Sequence, residues 1–160
     1  MIVVADAGPL RYLVLIDQVR VLGDLFHRIL VPEAVARELS HERTPEAVKK
    51  WMAAPPNWIE ICAPQSLDKI DLDYLDEGEL QAIALTLHSA VSLLLMDDAD
   101  GRIAAESVGL GVLGTIGILE RGAEAGLLDF ADSFAKLEET NFHMAASFRR
   151  VIHERHRLDS

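Results

Sequence analysis

The stretch Ser92-Leu93-Leu94-Leu95-Met96-Asp97-Asp98-Ala99-Asp100-Gly101-Arg102 sets an apolar run too short for a helix against three acids. Leu93 to Met96 lacks polar alternation, which is the pattern of a strand covered on both faces in a parallel sheet. In open α/β sheets ligands bind outside the carboxyl ends of the strands. The end of this strand carries Asp97 and Asp98 side by side, so it is a candidate site. A site needs further groups at the same edge, and the rest of the chain offers them.

Composition sets the limits. The chain has 160 residues, half of them hydrophobic and 6% aromatic, which predicts an aliphatic core rather than an aromatic binding platform. A domain of this size buries roughly 68–70% of the surface its unfolded chain exposes, so one domain over residues 1–160 is expected. The single cysteine, Cys62, rules out an internal disulfide and fits a reducing compartment. Nothing approaches the roughly 20 apolar residues of a membrane span, and Met1 to Asp6 has no basic leader pattern, so a cytoplasmic protein is expected. The net charge of −11 opposes a phosphate backbone at first sight. The distribution answers part of that objection. Residues 68–79 hold Asp68, Asp71, Asp73, Asp76, Glu77 and Glu79 against Lys69, whereas residues 149–160 hold Arg149, Arg150, Arg155 and Arg157 against Glu154 and Asp159. Acids gathered around a metal do not repel a polyanion as bare charges do.

In chain order, Ile2 to Ala5 reads as a buried strand ending at Asp6, and the helix after it has Pro9 at its first position. A helix over Val19 to Phe26 precedes a strand over Arg28 to Val31. Pro32 to Leu39 reads as a helix with Glu38 about two turns in. The helix opened by Thr44-Pro45-Glu46 stops at Pro55-Pro56-Asn57, and Trp58 to Cys62 is a strand. Residues 63–78 read as a loop or short turn. From Asp76, the i, i+3, i+4, i+7 spacing of Leu80, Ile83, Ala84 and Leu87 predicts a helix. Helices over 99–108, 115–125, 132–139 and 145–156 follow, with Val112-Leu113 a short strand. Short strands alternating with helices imply a parallel sheet with helices on both faces.

Carboxylates therefore stand at Asp6, Glu38, Glu79 and the Asp97–Asp98 pair. If the strands are parallel, Asp6 and the pair emerge on one edge, and nearby helices bring Glu38 and Glu79 toward it. Such a cluster repels itself unless it binds a hard divalent cation, Mg²⁺ or Mn²⁺, which takes oxygen ligands and activates a bound water toward a phosphodiester. Each acid also has an ordinary reading. Asp76 and Glu79 have capping-box spacing, Asp97 or Asp98 can cap the helix at Ala99, Glu38 fits a solvated face, and Asp6 a turn. One cap needs one carboxylate, so the doublet after a buried strand is harder to explain that way.

Two other patterns point elsewhere. Gly109-Leu110-Gly111-Val112-Leu113-Gly114 matches G-x-G-x-x-G, but the dinucleotide fingerprint follows a strand and opens a helix. Here a helix precedes the glycines, and they read as a helix stop and tight turns. His153-Glu154-Arg155-His156 on an Arg-rich terminal helix reads as a solvated face rather than a metal pair.

With these residues in place, the sequence resembles the PIN-domain family, in particular the toxin-like prokaryotic branch related to the VapC ribonucleases. The resemblance rests on Asp6-Ala7-Gly8-Pro9-Leu10, Val31-Pro32 through Glu38, Gly78-Glu79 before Ala82-Ile83-Ala84-Leu85, Leu94-Leu95-Met96-Asp97-Asp98 with Arg102, and Gly114-Thr115-Ile116-Gly117-Ile118-Leu119, in that order. It implies a three-layer α/β/α domain over 1–160, with 145–160 a basic C-terminal helix. It also implies a Mg²⁺- or Mn²⁺-dependent endoribonuclease, the toxin of a toxin–antitoxin pair, acting on RNA, held by a small antitoxin and forming a homodimer. Asp6, Glu38 and Glu79 then supply three catalytic acids and Asp98 or Asp97 the fourth. Asp6, Glu79, Asp97 and Asp98 are the candidate metal ligands. Arg102 is a candidate phosphate contact, or else a surface ion pair with Asp98 or Glu106. Gly8 stands where many relatives carry Ser or another polar residue, which removes one contact near the metal. The rival expectation is a non-catalytic PIN-like protein that binds an antitoxin or RNA, or a hydrolase of small phosphoesters.

Overall fold

The computed structural model describes residues 1–66, 73–91 and 93–158. Among the described residues five strands form one sheet: β1 (Ile2–Ala5), β2 (Arg28–Pro32), β3 (Ile59–Cys62), β4 (Leu93–Leu95) and β5 (Gly111–Leu113). They lie in the order β3-β2-β1-β4-β5 and every pairing is parallel. The helices are α1 (Ala7–Leu15), α2 (Arg20–Phe26), α3 (Glu33–Leu39), α4 (Glu46–Ala53), α5 (Glu77–His88), α6 (Ala99–Ser107), α7 (Thr115–Glu124), α8 (Phe130–Glu138) and α9 (Ala146–His156). Among the described residues no helix is long and apolar enough to cross a membrane. Within the acidic run of residues 68–79, Asp68, Lys69 and Asp71 lie outside the described residues, as does Ser92.

Strand side chains alternate between faces, and here both faces are covered. Val3, Ala5, Ile29, Val31, Ile59 and Leu95 enter one core with Leu10, Leu13, Val35, Ile118 and Phe134. Val4, Leu30 and Leu94 enter a second core with Ile83 and Leu85 of α5 and Ala104 and Ala105 of α6. This is the three-layer α/β/α arrangement, and it explains why β1, β4 and most of β2 read as apolar runs, whereas the edge strand β3 carries the exposed Glu60 and Ile61.

The winding reverses at the middle of the sheet. From β1 the chain goes outward through β2 and β3, then crosses back to place β4 on the other side of β1. The crevice between the carboxyl ends of β1 and β4 is therefore the topological switch point, where ligands bind in open α/β sheets. The Asp6 N–H donates to the Leu95 carbonyl at 2.9 Å and the Met96 N–H to the Leu113 carbonyl at 3.0 Å, so Asp6 and the 97–98 doublet leave adjacent strands side by side.

Three local expectations are corrected. Pro9 is the third residue of α1 rather than its first. All of the first N–H groups of a helix lack an internal partner, so proline's missing donor costs little there as well. Helix α8 starts at Phe130 rather than Asp132, because Asp129 caps it by accepting from the Asp132 N–H at 2.8 Å. His153 and His156 do not lie on a solvated face. His156 stacks on Phe130, His153 meets the edge of Phe134, and the helix buries Ile152 between them. The glycine run behaves as read: Gly109 (φ +87°) stops α6, and Gly114 stands before α7.

Leu94 and Leu95 are fully buried on opposite faces of β4. Leu94→Ala and Leu95→Ala are each expected to cost about 2–5 kcal/mol by denaturant unfolding, since each leaves a cavity in a separate core. Ile103→Ala, at a position 64% exposed, is expected to cost less than about 0.5 kcal/mol.

Candidate active site

Asp6 ends β1 and is only 7% exposed. It occupies the cap position of α1 without a side-chain cap hydrogen bond, so capping does not account for its carboxylate. Burial pushes its pKa up to about 8, with the charges of Asp76, Glu38 and Glu79 adding to the rise and the Ala7 N–H opposing it. A buried acid surrounded by like charges, with no ion pair of its own among the described residues, is the least comfortable group in the fold.

Its neighbours arrive on two helices. Helix α3 brings Glu38 and docks on α5 through the Ala34 N–H, which donates to Gln81 Oε1 at 3.0 Å, and through the exposed Arg37–Glu77 pair at 2.8 Å. Partial burial and then the Asp76 charge push the Glu38 carboxyl up, with Arg11 opposing. Helix α5 brings Glu79, which is 9% exposed. Its first turn comes close to the end of β1: a Cβ at Gly78 would be in van der Waals contact with Val35 Cγ2 at 3.4 Å and Asp6 Oδ1 at 3.6 Å. The capping box is real. Asp76 Oδ1 accepts from the Glu79 N–H at 2.8 Å, and Glu79 Oε2 accepts from the Asp76 N–H at 3.3 Å. Capping nevertheless leaves Glu79 in the cluster. Burial, followed by the charges of Asp76 and Asp98, pushes it up to about 7. The cap therefore does not take Glu79 out of the acidic cluster.

The doublet separates into two roles. Asp98 caps α6, its Oδ2 accepting from the Gly101 N–H at 2.9 Å, and its charge acts on Glu79. Asp97 turns to the other side. Its Oδ1 accepts from the Thr115 N–H and its Oδ2 from the Thr115 hydroxyl, both at 2.7 Å. Burial raises its pKa, while the two Thr115 bonds and the nearby Arg102 guanidinium lower it.

A groove of about 1060 Å³ opens beside the doublet. Asp97, Asp98 and Arg102 stand in its lining, with apolar and aromatic surface from Tyr12, Ile103, Leu113, Ile116, Phe142 and Phe148. Arg155 of the basic terminal helix also lines it but is paired with Glu120 at 2.8 Å. Arg102 makes no ion pair with Asp98, Glu106 or any other acid among the described residues, so the surface-pair alternative for it is absent. A smaller hollow of about 450 Å³ between Leu15–Asp17 and Lys136–Thr140 contains none of the candidate residues.

The structure thus brings Asp6, Glu38, Glu79 and Asp98 into one electrostatic cluster and holds Asp97 and Arg102 at its groove side. Two members were not legible as site residues. Asp76 shows in the sequence only as a cap, and Thr115 only as a helix opener. The acidic crowding of residues 68–79 and the Gly114-Thr115 entry were the only signals they gave. Among the described residues no three His, Cys, Asp or Glu side chains converge closely enough to hold an ion as they stand.

A family profile described as DUF3368: PIN domain matches residues 2–157. No curated protein matches the chain. Among solved structures, a PilT N-terminus domain protein from the hyperthermophilic archaeon Sulfolobus solfataricus P2 superposes with a TM-score of 0.52 at 14% identity, over 91% of this chain and 100% of the other. At that identity the likeness shows the fold.

The raised Asp6 pKa has a consequence for stability. Between the unfolded value near 3.8 and the folded value of about 8, the folded protein binds the extra proton, so this contribution is full below 3.8 and is lost as pH rises through 8. Without metal, Asp6→Asn is expected to melt close to wild type at pH 3.5 and to be the more stable protein at pH 9, by an amount on the order of a few kcal/mol. Thermal melting at the two pH values checks this, and an equal difference at both would contradict it.

Proposed function

This chain belongs to the PIN-domain family, whose members are typically metal-dependent nucleases, and from that premise we propose that it is a Mg²⁺- or Mn²⁺-dependent endoribonuclease, the toxin of a toxin–antitoxin pair. The observation that carries this reading is the buried Asp6, which has no ion pair among the described residues, beside Glu38, Asp76 and Glu79, with Asp98 acting on Glu79 and Arg102 in the adjoining groove.

The donor chemistry fits a divalent ion. All the clustered groups are carboxylates, which suit hard cations. Mg²⁺ keeps several waters and is usually held by one or two carboxylates with the substrate's phosphate, so a closed protein cage is not required. Asp6, Glu79 and one carboxylate of the 97–98 doublet would hold it, with Glu38 adjoining. When bound, the ion supplies a nucleophilic water at neutral pH and neutralises charge on the phosphate.

The chain's own residues do the rest. Asp6 and Glu79, charged once a cation offsets their mutual repulsion, orient the scissile phosphate at the switch point. Glu38, the most exposed of the raised acids, is placed to take the proton from the attacking water. Arg102 receives a flanking phosphate, and the aromatic groove wall excludes water from the strand on either side. The acidic net charge does not prevent this, since polyanion contacts concentrate at Arg102 and along α9. A homodimer and a small antitoxin remain part of the proposal, with α9 as the groove wall that the antitoxin reaches.

Among the described residues no three ligands converge, which favours one alternative, a PIN-like protein that binds RNA without cutting it. Cleavage of end-labelled tRNA and messenger RNA in Mn²⁺, Mg²⁺ or EDTA separates the two. The nuclease reading predicts metal-dependent products that Asp6→Asn reduces by at least about 10²-fold. Arg102→Ala is expected to raise KM several-fold with a smaller change in kcat, because it removes a contact made to bound substrate as well as to the transition state. RNA bound with no cleavage in any metal would establish the alternative.

A further inference from the structure

The two aspartates after β4 are not equivalent, and Gly8 explains why. Both Asp97 oxygens are committed to Thr115, one to its N–H and one to its hydroxyl, at 2.7 Å each. Thr115 is fully buried at the start of α7. The carboxylate is also packed between two glycines. A Cβ at position 8 would stand 2.9 Å from Asp97 Oδ2, and a Cβ at position 114 would stand 3.0 Å from Asp97 Oδ1 and 2.7 Å from Arg102 Nη1. The first distance is closer than real Cβ atoms come, so a side chain at position 8 requires the Asp97 carboxylate to shift from the Thr115 hydroxyl. Asp98 is different: it is exposed, spends one oxygen on the Gly101 N–H, and faces Glu79.

We propose that Asp97 is a positioning residue and not a metal ligand: it fills the space left by Gly8 and ties the end of β4 to the start of α7 through Thr115. Asp98 is then the doublet's only metal-binding carboxylate. Gly8 is accordingly no lost contact but the gap that the clamp requires. The clamp sets the groove wall, because α7 carries Ile116 and Gly117 into it, and Arg102 stands beside the same glycine that adjoins Asp97. The metal half of this inference rests on the nuclease reading. The clamp half does not.

The discriminating change is to asparagine. A threonine hydroxyl donates and accepts, so in Asp97→Asn the amide oxygen still accepts from the Thr115 N–H and the amide nitrogen donates to the Thr115 hydroxyl. The clamp survives while the charge is gone. Calorimetric titration of Mn²⁺ into the folded proteins is expected to show Asp97→Asn close to wild type and Asp98→Asn weaker by at least about tenfold, since ligand charge sets the affinity of such sites. Asp97→Ala is expected to keep Mn²⁺ affinity but raise KM for RNA and lower the melting temperature. Gly8→Ser is expected to lower the melting temperature in the wild-type background and to have little effect, or to raise it, in the Asp97→Ala background, where the serine enters the vacated space. Equal loss of Mn²⁺ affinity in Asp97→Asn and Asp98→Asn would overturn the assignment. If the wild-type protein binds no Mn²⁺, the nuclease reading falls, and the clamp is judged by melting: additive effects of Gly8→Ser and Asp97→Ala overturn it, and a reversal of sign upholds it.

Discussion

The hydrogen bond from the Asp6 N–H to the Leu95 carbonyl joins the ends of two strands that are far apart in sequence and wound in opposite directions across the sheet. Parallel strands need crossover helices, and reversal of the winding at β1 opens a crevice at the carboxyl ends of β1 and β4. The crevice therefore receives whatever the turns after these strands carry, which here is Asp6, Asp97 and Asp98. The two apolar cores serve this arrangement by burying both faces of short strands, so that the carboxyl edge is held rigidly by residues that take no part in the chemistry.

An unfavourable group has to be supported by the rest of the fold. Burial and like charges oppose ionisation of Asp6 and Glu79, and the folded protein holds protons there that the unfolded chain releases. The supports are identifiable. The Ala34–Gln81 hydrogen bond and the Arg37–Glu77 pair dock α3 on α5, and the Asp76–Glu79 capping box sets the first turn of α5. Perturbed acids of this kind cluster where chemistry is done.

Glu38, Asp76 and Glu79 act on Asp6, and Asp98 acts on Glu79, while Arg102 and Arg155 stand with aromatic surface and the acids Asp97, Asp98, Glu106 and Glu120 in the adjoining groove. A net charge of −11 says little about such a site, since basic groups stand within this acidic surrounding. The terminal helix α9 is fixed by Glu120 to Arg155 and His156, and by Glu138 to Arg149, so its basic residues take part in its docking as well as facing solvent.

The sequence by itself determined the strands, most helix limits and the acids at the strand ends, because periodicity, proline, glycine and capping residues act over a few neighbouring positions. Asp6 after an apolar run and the doublet after another are readable in that way. Only the tertiary structure decided which way each acid faces. Asp76 reads as a cap and is one, yet its charge enters the cluster because α5 abuts α3 and β1. His153 and His156 read as solvated and are packed, because Phe130 and Phe134 of a separate helix cover them. Asp97 and Asp98 are chemically identical neighbours until Thr115, eighteen residues on from Asp97, claims one of them and Gly8 leaves it room. Such outcomes depend on contacts between distant segments, which have no local signature in the sequence.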